Sequence, residues 1–407
     1  MPKRKEFLYN MASVRERAKG SYEITVYDGY NISGKKLRHT KTITVDPNLT
    51  TKQKEKLLQK ETYEFEQQVK AGLYLKGNIR FKDFTDKWLH DYAKKKLSPT
   101  TLDRYITLLD RINEAIGHIK LEDLRPNHLM NFYDNLAENQ MSHIPIRNEK
   151  GEIIGYKNLS PKTILHHHRL ISSILTKAVQ WQIIRENVAS RVEPPKVPKH
   201  ESPYLDEVQA KELIKLLENE PMQYKTAITL LIYTGLRRGE LLGLEWKDID
   251  YKNKTMNIVR SSAYVNRKGM ITKDTKNLSS TRIIDLSDSA IILLKSYQKW
   301  QSEKRLAIGD QWHNTDRLFT QANGLPMNAD TIGQWFKKFI SKTDLPKVSL
   351  HSLRHTNATL MIASGADIRS VSARLGHSNT STTLNIYSHF IESRNREIAD
   401  KLQEMLG

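Results

Sequence analysis

The chain of 407 residues contains no cysteine. That excludes disulfides, thiol nucleophiles and thiolate zinc sites together, and is compatible with a reducing compartment. Long apolar runs are also missing: none approaches the roughly 18 residues a spanning helix needs, and no lipidation pattern is visible. The opening MPKRKEFLYNM lacks an apolar core and does not read as a signal peptide. Acidic side chains are in short supply, 46 Asp and Glu against 65 Lys and Arg, which leaves a formal charge of +19. An excess of that size asks for a polyanionic partner, most simply nucleic acid, with an anionic membrane surface as the competitor.

What is present suits a globular chain of two to four domains, with 38% hydrophobic residues. SYEITVYDGY and GKKLRHTKTITV alternate around Tyr22, Ile24, Val26 and Leu37, Ile43, Val45, and ASVRERA upstream supplies a first strand. Helical spacing follows in LTTKQKEKLLQKETYEFEQQVKAG, with Thr50 or Thr51 as N-cap and Gly72 as stop. GLYLKGN (72–78) reads as a linker. Four helices then open at FKDFTDKWLHDYAKKK, Ser98-Pro99, LRPNHLMNFYDNLAEN and Ser160-Pro161, and IRNEKGEII reads as a hairpin inserted between the last two. EPPKVPKHESPY (193–204) marks a boundary. Beyond it helices enclose three short strands, and ESRNREIADKLQEMLG reads as a closing amphipathic helix able to dock on this body or on a neighbouring subunit.

Chemistry concentrates in 350–390, LHSLRHTNATLMIASGADIRSVSARLGHSNTSTTLNIYSHF. His351 and Arg354 lie three apart and share a helix face, so both can address one target. An arginine fork suits phosphate, and a histidine beside it moves protons near neutral pH. His351 and His355 also have the spacing of zinc-binding helices, but the glutamate of that motif is missing. The run His166, His167, His168 points in three directions on a helix, which disfavours one shared metal.

TGLRRGELLGLEW (234–246), HSLRH and LGHSNTSTTLNIYSH together resemble the tyrosine recombinases, or phage-integrase family. Within it the chain looks like integrases of conjugative transposons, which carry a small N-terminal arm-type DNA-binding domain. The resemblance covers essentially the whole chain and is strongest over 202–390. It implies that Arg237 and Arg354 grip the scissile phosphate and that Tyr387 attacks it to give a 3′-phosphotyrosine link. Lys276, with Lys273 as fallback, would protonate the departing 5′ oxygen. His351 would assist the tyrosine proton or the phosphate, and His377 would hydrogen-bond a phosphate oxygen. Arg238 is expected to face DNA or solvent, and Glu240 to orient or pack.

The implied fold is multidomain: a small β-sheet with a helix at 1–74, an all-α core-binding domain at 79–192, a linker at 193–201, and a mixed α/β, mainly helical catalytic domain at 202–407. DNA contacts are expected from Lys94, Lys95, Lys96, Thr100, Arg104, His166, His168 and Arg169 beside the two Ser-Pro helix starts, and from Lys35 and Arg38 on the sheet. The expected partners are double-stranded DNA at element ends and target site, a homotetramer held by exchange of the C-terminal helix, and an accessory excision factor. No cofactor, metal or membrane is expected, and the location would be the bacterial cytoplasm at the nucleoid. A type IB topoisomerase and a non-catalytic DNA-binding regulator are the alternative readings.

Overall fold

The computed structural model describes residues 12–30, 36–70, 79–138, 142, 144–148, 150–198, 203–266, 268–274, 281–376 and 403–406. The chain forms two compact units, Met1–Pro198 and Lys199–Gly407. The expected linker at 72–78, the stop at Gly72, and residues Lys35, Lys276, His377, Tyr387 and His389 lie outside the described residues.

In the first unit, β1 (Ser13–Ala18), β2 (Ser21–Tyr30) and β3 (Lys36–Thr44) form an antiparallel sheet in that order. The alternation of Ile24 and Val26 turns both onto one face, where Phe65 and Val69 of α1 (Thr51–Lys70) complete a small core. Thr50 caps α1, exchanging hydrogen bonds with Gln53. Next come α2 (Phe81–Trp88), one widened turn at Leu89–Ala93, and α3 (Lys94–Lys96). The stretch expected as one helix is thus continuous but locally unwound. After it, α4 (Pro99–Ile116) and α6 (Pro161–Gln180) begin alike: the Ser98 and Ser160 hydroxyls accept from Thr101 N and Thr163 N, with proline in the first helical position. Between them lie α5 (Pro126–Glu138) and the hairpin of β4 (Pro145–Arg147) with β5 (Ile153–Tyr156). Apolar residues three and four apart, among them Phe81, Phe84, Trp88, Ile112, Leu136 and Ile174, meet in a second core.

The second unit opens with α7 (Glu207–Leu216), started by an Asp206–Gln209 capping box. Helix α8 (Met222–Thr234) is apolar almost all round and is buried along most of its length, so it forms the unit's centre. Then follow α9 (Arg238–Gly243), β6 (Ile249–Asp250), β7 (Thr255–Ile258), β8 (Arg260–Val265), β9 (Gly269–Asp274) and β10 (Arg282–Asp285). The strands make an antiparallel sheet ordered β10-β7-β6 and a separate β8–β9 hairpin. Helices α10 (Asp288–Ile308), α11 (Ala329–Ile340), α12 (Leu350–Ala363) and α13 (Ile368–Leu375) complete the unit. Of the closing segment only 403–406 is described; it is helical, and Met405 and Leu406 are exposed. No described helix is long and apolar enough to cross a membrane.

Candidate active site

The site begins where α8 stops. Gly235 takes φ +64°, a left-handed conformation that glycine adopts without strain. A Cβ there would lie 2.4 Å from Leu375 Cδ2 and 2.5 Å from Asn357 Oδ1, so the position also demands the smallest residue for space. This turn aims the Gly235 carbonyl at Arg354, whose Nη1 donates to it at 2.7 Å. Arg354 Nη2 donates to the carbonyl of Leu375, also at 2.7 Å. One residue on, the Gly376 carbonyl accepts from Arg237 Nη2 at 3.0 Å. The two guanidinium groups, 117 positions apart in the chain (354 − 237), are therefore held on neighbouring carbonyls at the end of α13.

Arg237 is the N-cap of α9, and the R-x-x-E spacing puts Glu240 at the third helical position. There its carboxylate reaches back, Oε2 accepting from the Arg237 backbone N–H (3.0 Å) and Oε1 from Arg237 Nη1 (2.7 Å). Glu240 is 3% exposed, whereas the Arg237 side chain is 38% exposed. Burial alone would raise the Glu240 pKa; the Arg282 guanidinium at 2.9 Å and the bonds from Arg237 bring it below the usual carboxylate value. The glycines of the same motif pack α9 onto β8, since a Cβ at Gly239 would fall 2.5 Å from Ser261 Oγ and one at Gly243 would fall 2.8 Å from Arg260 O. The next acids in line, Glu245 and Asp248, bind Arg260 Nη1 at 2.9 and 2.6 Å and anchor the foot of β8.

Helix α12 carries the other half, with Ser349 as its cap. Arg354 is 2% exposed. Asn357 donates to Ile232 O at 2.7 Å and Thr356 accepts from Leu205 N at 3.0 Å, so α12 is tied to α8 and to the start of the unit. The rings of His351 and His355 meet edge to face with centroids 4.9 Å apart. Partial burial, with the charges of Arg354 and Arg237, holds the His351 imidazole below its ordinary pKa. Burial and the neighbouring His351 and Arg354 lower His355 to about 4. Both rings are thus neutral near pH 7, the state in which an imidazole can accept a proton. Among the described residues no group of three or more His, Asp or Glu side chains is placed to hold a metal.

The structure thus brings Arg237, His351 and Arg354 together with Glu240. Lys273 sits on β9, opposite Ser261. Arg238 turns away to Asp330 Oδ1 at 3.1 Å. Sequence reasoning assigned no role to Asn357, Arg282 or the carbonyls of Leu375 and Gly376; backbone acceptors carry no residue signature. In the first unit Lys94, Lys95, Lys96, Thr100, Arg104 and Arg169 are exposed. Burial, with the nearby charges of Arg104 and Arg169, lowers the His166 pKa. His168 Nδ1 is hydrogen-bonded to Tyr133 OH at 3.1 Å, and His167 is buried against Phe132. Arg38 pairs with Glu23 at 2.9 Å on the sheet.

Residues 203–394 match the model of the phage integrase family, and 80–137 match that of the phage integrase N-terminal SAM-like domain. The chain is 24% identical over 398 residues to the ICEBs1 integrase of Bacillus subtilis strain 168, covering 97% of this chain and 100% of that one. It is also 24% identical to the integrase of Staphylococcus phage L54a, covering 84% and 99%. Among solved structures, the Tn1549 transposon integrase in complex with transposon right end DNA superposes with a TM-score of 0.62 at 21% identity, covering 80% of this chain and 99% of that chain. A lambda integrase tetramer bound to a Holliday junction superposes with a TM-score of 0.52 at 15% identity, covering 90% and 96%.

Proposed function

Because the chain belongs to the phage integrase family of tyrosine recombinases, we propose that its Arg237–Arg354 pocket is the active site at which it cuts and rejoins duplex DNA to integrate and excise a mobile element. The observation that carries this reading is the pair of guanidinium groups seated side by side on the Gly235, Leu375 and Gly376 carbonyls. The Arg354 charge would offset the charge that builds on phosphorus in the transition state.

In the proposed reaction the Tyr387 oxygen attacks phosphorus as the bond from phosphorus to the 5′ oxygen breaks. The tyrosine proton passes to His351 or to the phosphate, and Lys276 supplies the proton that the 5′ oxygen takes up. The product is a 3′-phosphotyrosine link and a free 5′ hydroxyl. Attack by the 5′ hydroxyl of another strand reverses the step and reseals the DNA, with no nucleotide consumed. His377 hydrogen-bonds a phosphate oxygen.

The proposal divides the chain into arm-binding (1–74), core-binding (79–192), linker (193–201) and catalytic (202–407) parts. The Ser98 and Ser160 helix starts, with Lys94, Lys95, Lys96, Thr100, Arg104, His166, His168 and Arg169, would face core DNA, and Lys35 and Arg38 would face arm DNA. The similar Tn1549 integrase structure is a DNA complex and the lambda integrase structure is a tetramer on a Holliday junction, which supports a DNA-bound tetramer here; C-terminal helix exchange, an accessory excision factor and a place at the bacterial nucleoid complete the proposal. A nicked suicide substrate tests it. The wild-type protein should form a covalent adduct, and Tyr387→Phe should bind the same DNA without one; an adduct with the variant would move the nucleophile elsewhere.

A further inference from the structure

Glu240 creates a difficulty for the pocket it organises. A carboxylate 2.7 Å from Arg237 Nη1 holds that side chain in place, yet it also cancels the charge that the phosphate needs. The structure contains an answer on another element. The side chain of Arg282, the first residue of β10, is 7% exposed and places Nη2 2.9 Å from Glu240 Oε2, leaving Oε1 to the Arg237 side chain. Two guanidinium groups and one carboxylate sum to a single positive charge, and the more exposed member of the trio is Arg237. Arg282 is itself fixed: its Nε donates to Arg374 O at 2.7 Å. Arg374 Nη2 returns a bond to Asp285 O at 3.1 Å, so β10 and α13 are clasped in both directions. That clasp ends one and two residues before the Leu375 and Gly376 carbonyls that seat Arg354 and Arg237.

We propose that Arg282 is a positioning residue for phosphate binding: it neutralises Glu240, so that Glu240 orients Arg237 without consuming its charge. The inference rests on the reading of Arg237 as a phosphate ligand. Without Arg282 the Glu240 carboxylate would cancel the Arg237 charge and leave the pair neutral before an anionic phosphate, and the loss should scale with the charge on that phosphate.

The test compares two suicide substrates, one with the natural phosphodiester and one with a neutral methylphosphonate at the scissile position. Arg282→Gln should lower the rate of covalent adduct formation about 100-fold on the phosphodiester, the order of loss expected for a misdirected charged donor, and no more than about 3-fold on the methylphosphonate. Adding Glu240→Gln to Arg282→Gln should recover part of the phosphodiester rate, because the carboxylate that cancels the Arg237 charge is gone. Equal losses on both substrates, or a double variant slower than the single one, would overturn the proposal. So would recovery of Arg282→Gln on a substrate with a 5′ sulfur leaving group, which needs no proton and would place the defect at the general acid. Should Arg282→Gln not fold, Arg282→Lys keeps the counter-charge and should retain the wild-type ratio of rates on the two substrates; a changed ratio would count against the idea. Failure of the underlying reading is separate: the wild-type protein would then form no adduct on either substrate.

Discussion

The cations around Arg237 and Arg354 and those at the helix starts of 79–192 look alike in composition and differ in setting. Arg354 is almost completely buried and donates to the backbone carbonyls of Gly235 and Leu375. Lys94, Lys95 and Lys96 stand exposed on a single turn. A charge of the first kind is held at one point by the fold. One of the second kind acts through its average position and is screened within about 8 Å at physiological salt. On the proposed reading basicity serves two ends: a fixed pair of guanidinium groups for one phosphate, and an exposed fringe for many.

Substitution should separate these two uses, and the largest effect belongs to the pocket. Arg354→Lys keeps the charge but cannot reach both the Gly235 and Leu375 carbonyls, so adduct formation should fall by about 10²- to 10³-fold while DNA binding changes little. Arg354→Ala should in addition cost about 1–3 kcal/mol of stability for each carbonyl left unmet. Chemical denaturation beside the suicide-substrate assay reads both quantities, and an active Arg354→Ala protein would break the contrast.

The pocket also predicts a pH response. The His355 pKa is depressed from 6.5 to about 4, so the unfolded chain binds the proton more readily than the folded one between those values. The contribution is complete above pH 6.5 and is lost as pH falls towards 4, by up to about 3 kcal/mol. Thermal melts across that window should show a decline that His355→Phe flattens; parallel curves for the two proteins would remove the assignment.

The smallest effect is expected from the fringe. Replacing Lys94, Lys95 and Lys96 together by Gln should leave the cleavage rate at saturating protein unchanged and weaken binding. The slope of log affinity against log salt should fall by about 0.9 for each phosphate that the turn no longer neutralises. An unchanged slope would mean that this turn does not touch DNA.

Much of the architecture was legible because its signals are local. Ser98-Pro99 and Ser160-Pro161 announced their helices within four residues, and the caps formed as expected. Glu240 was expected only to orient or pack; that its carboxylate reaches back to the Arg237 backbone and side chain is visible in the structure alone. The widened turn at Leu89–Ala93 was not legible, since FKDFTDKWLHDYAKKK keeps helical spacing through it. Nor was the work of Arg282, whose partner Glu240 lies 42 positions away. The register of Lys276 gains nothing from the described residues, which resume at 281.

The order of residues alone determined which side chains could do the chemistry and on which helix faces they would fall, because capping, turn formation and helical periodicity act over a few positions. Only the tertiary structure decided that Arg237 and Arg354 share one shelf of carbonyls and that Glu240 is answered by Arg282. The reason is physical: a buried charge or backbone carbonyl must find its partner wherever the packed core brings one, and that distance in space has no counterpart in distance along the chain.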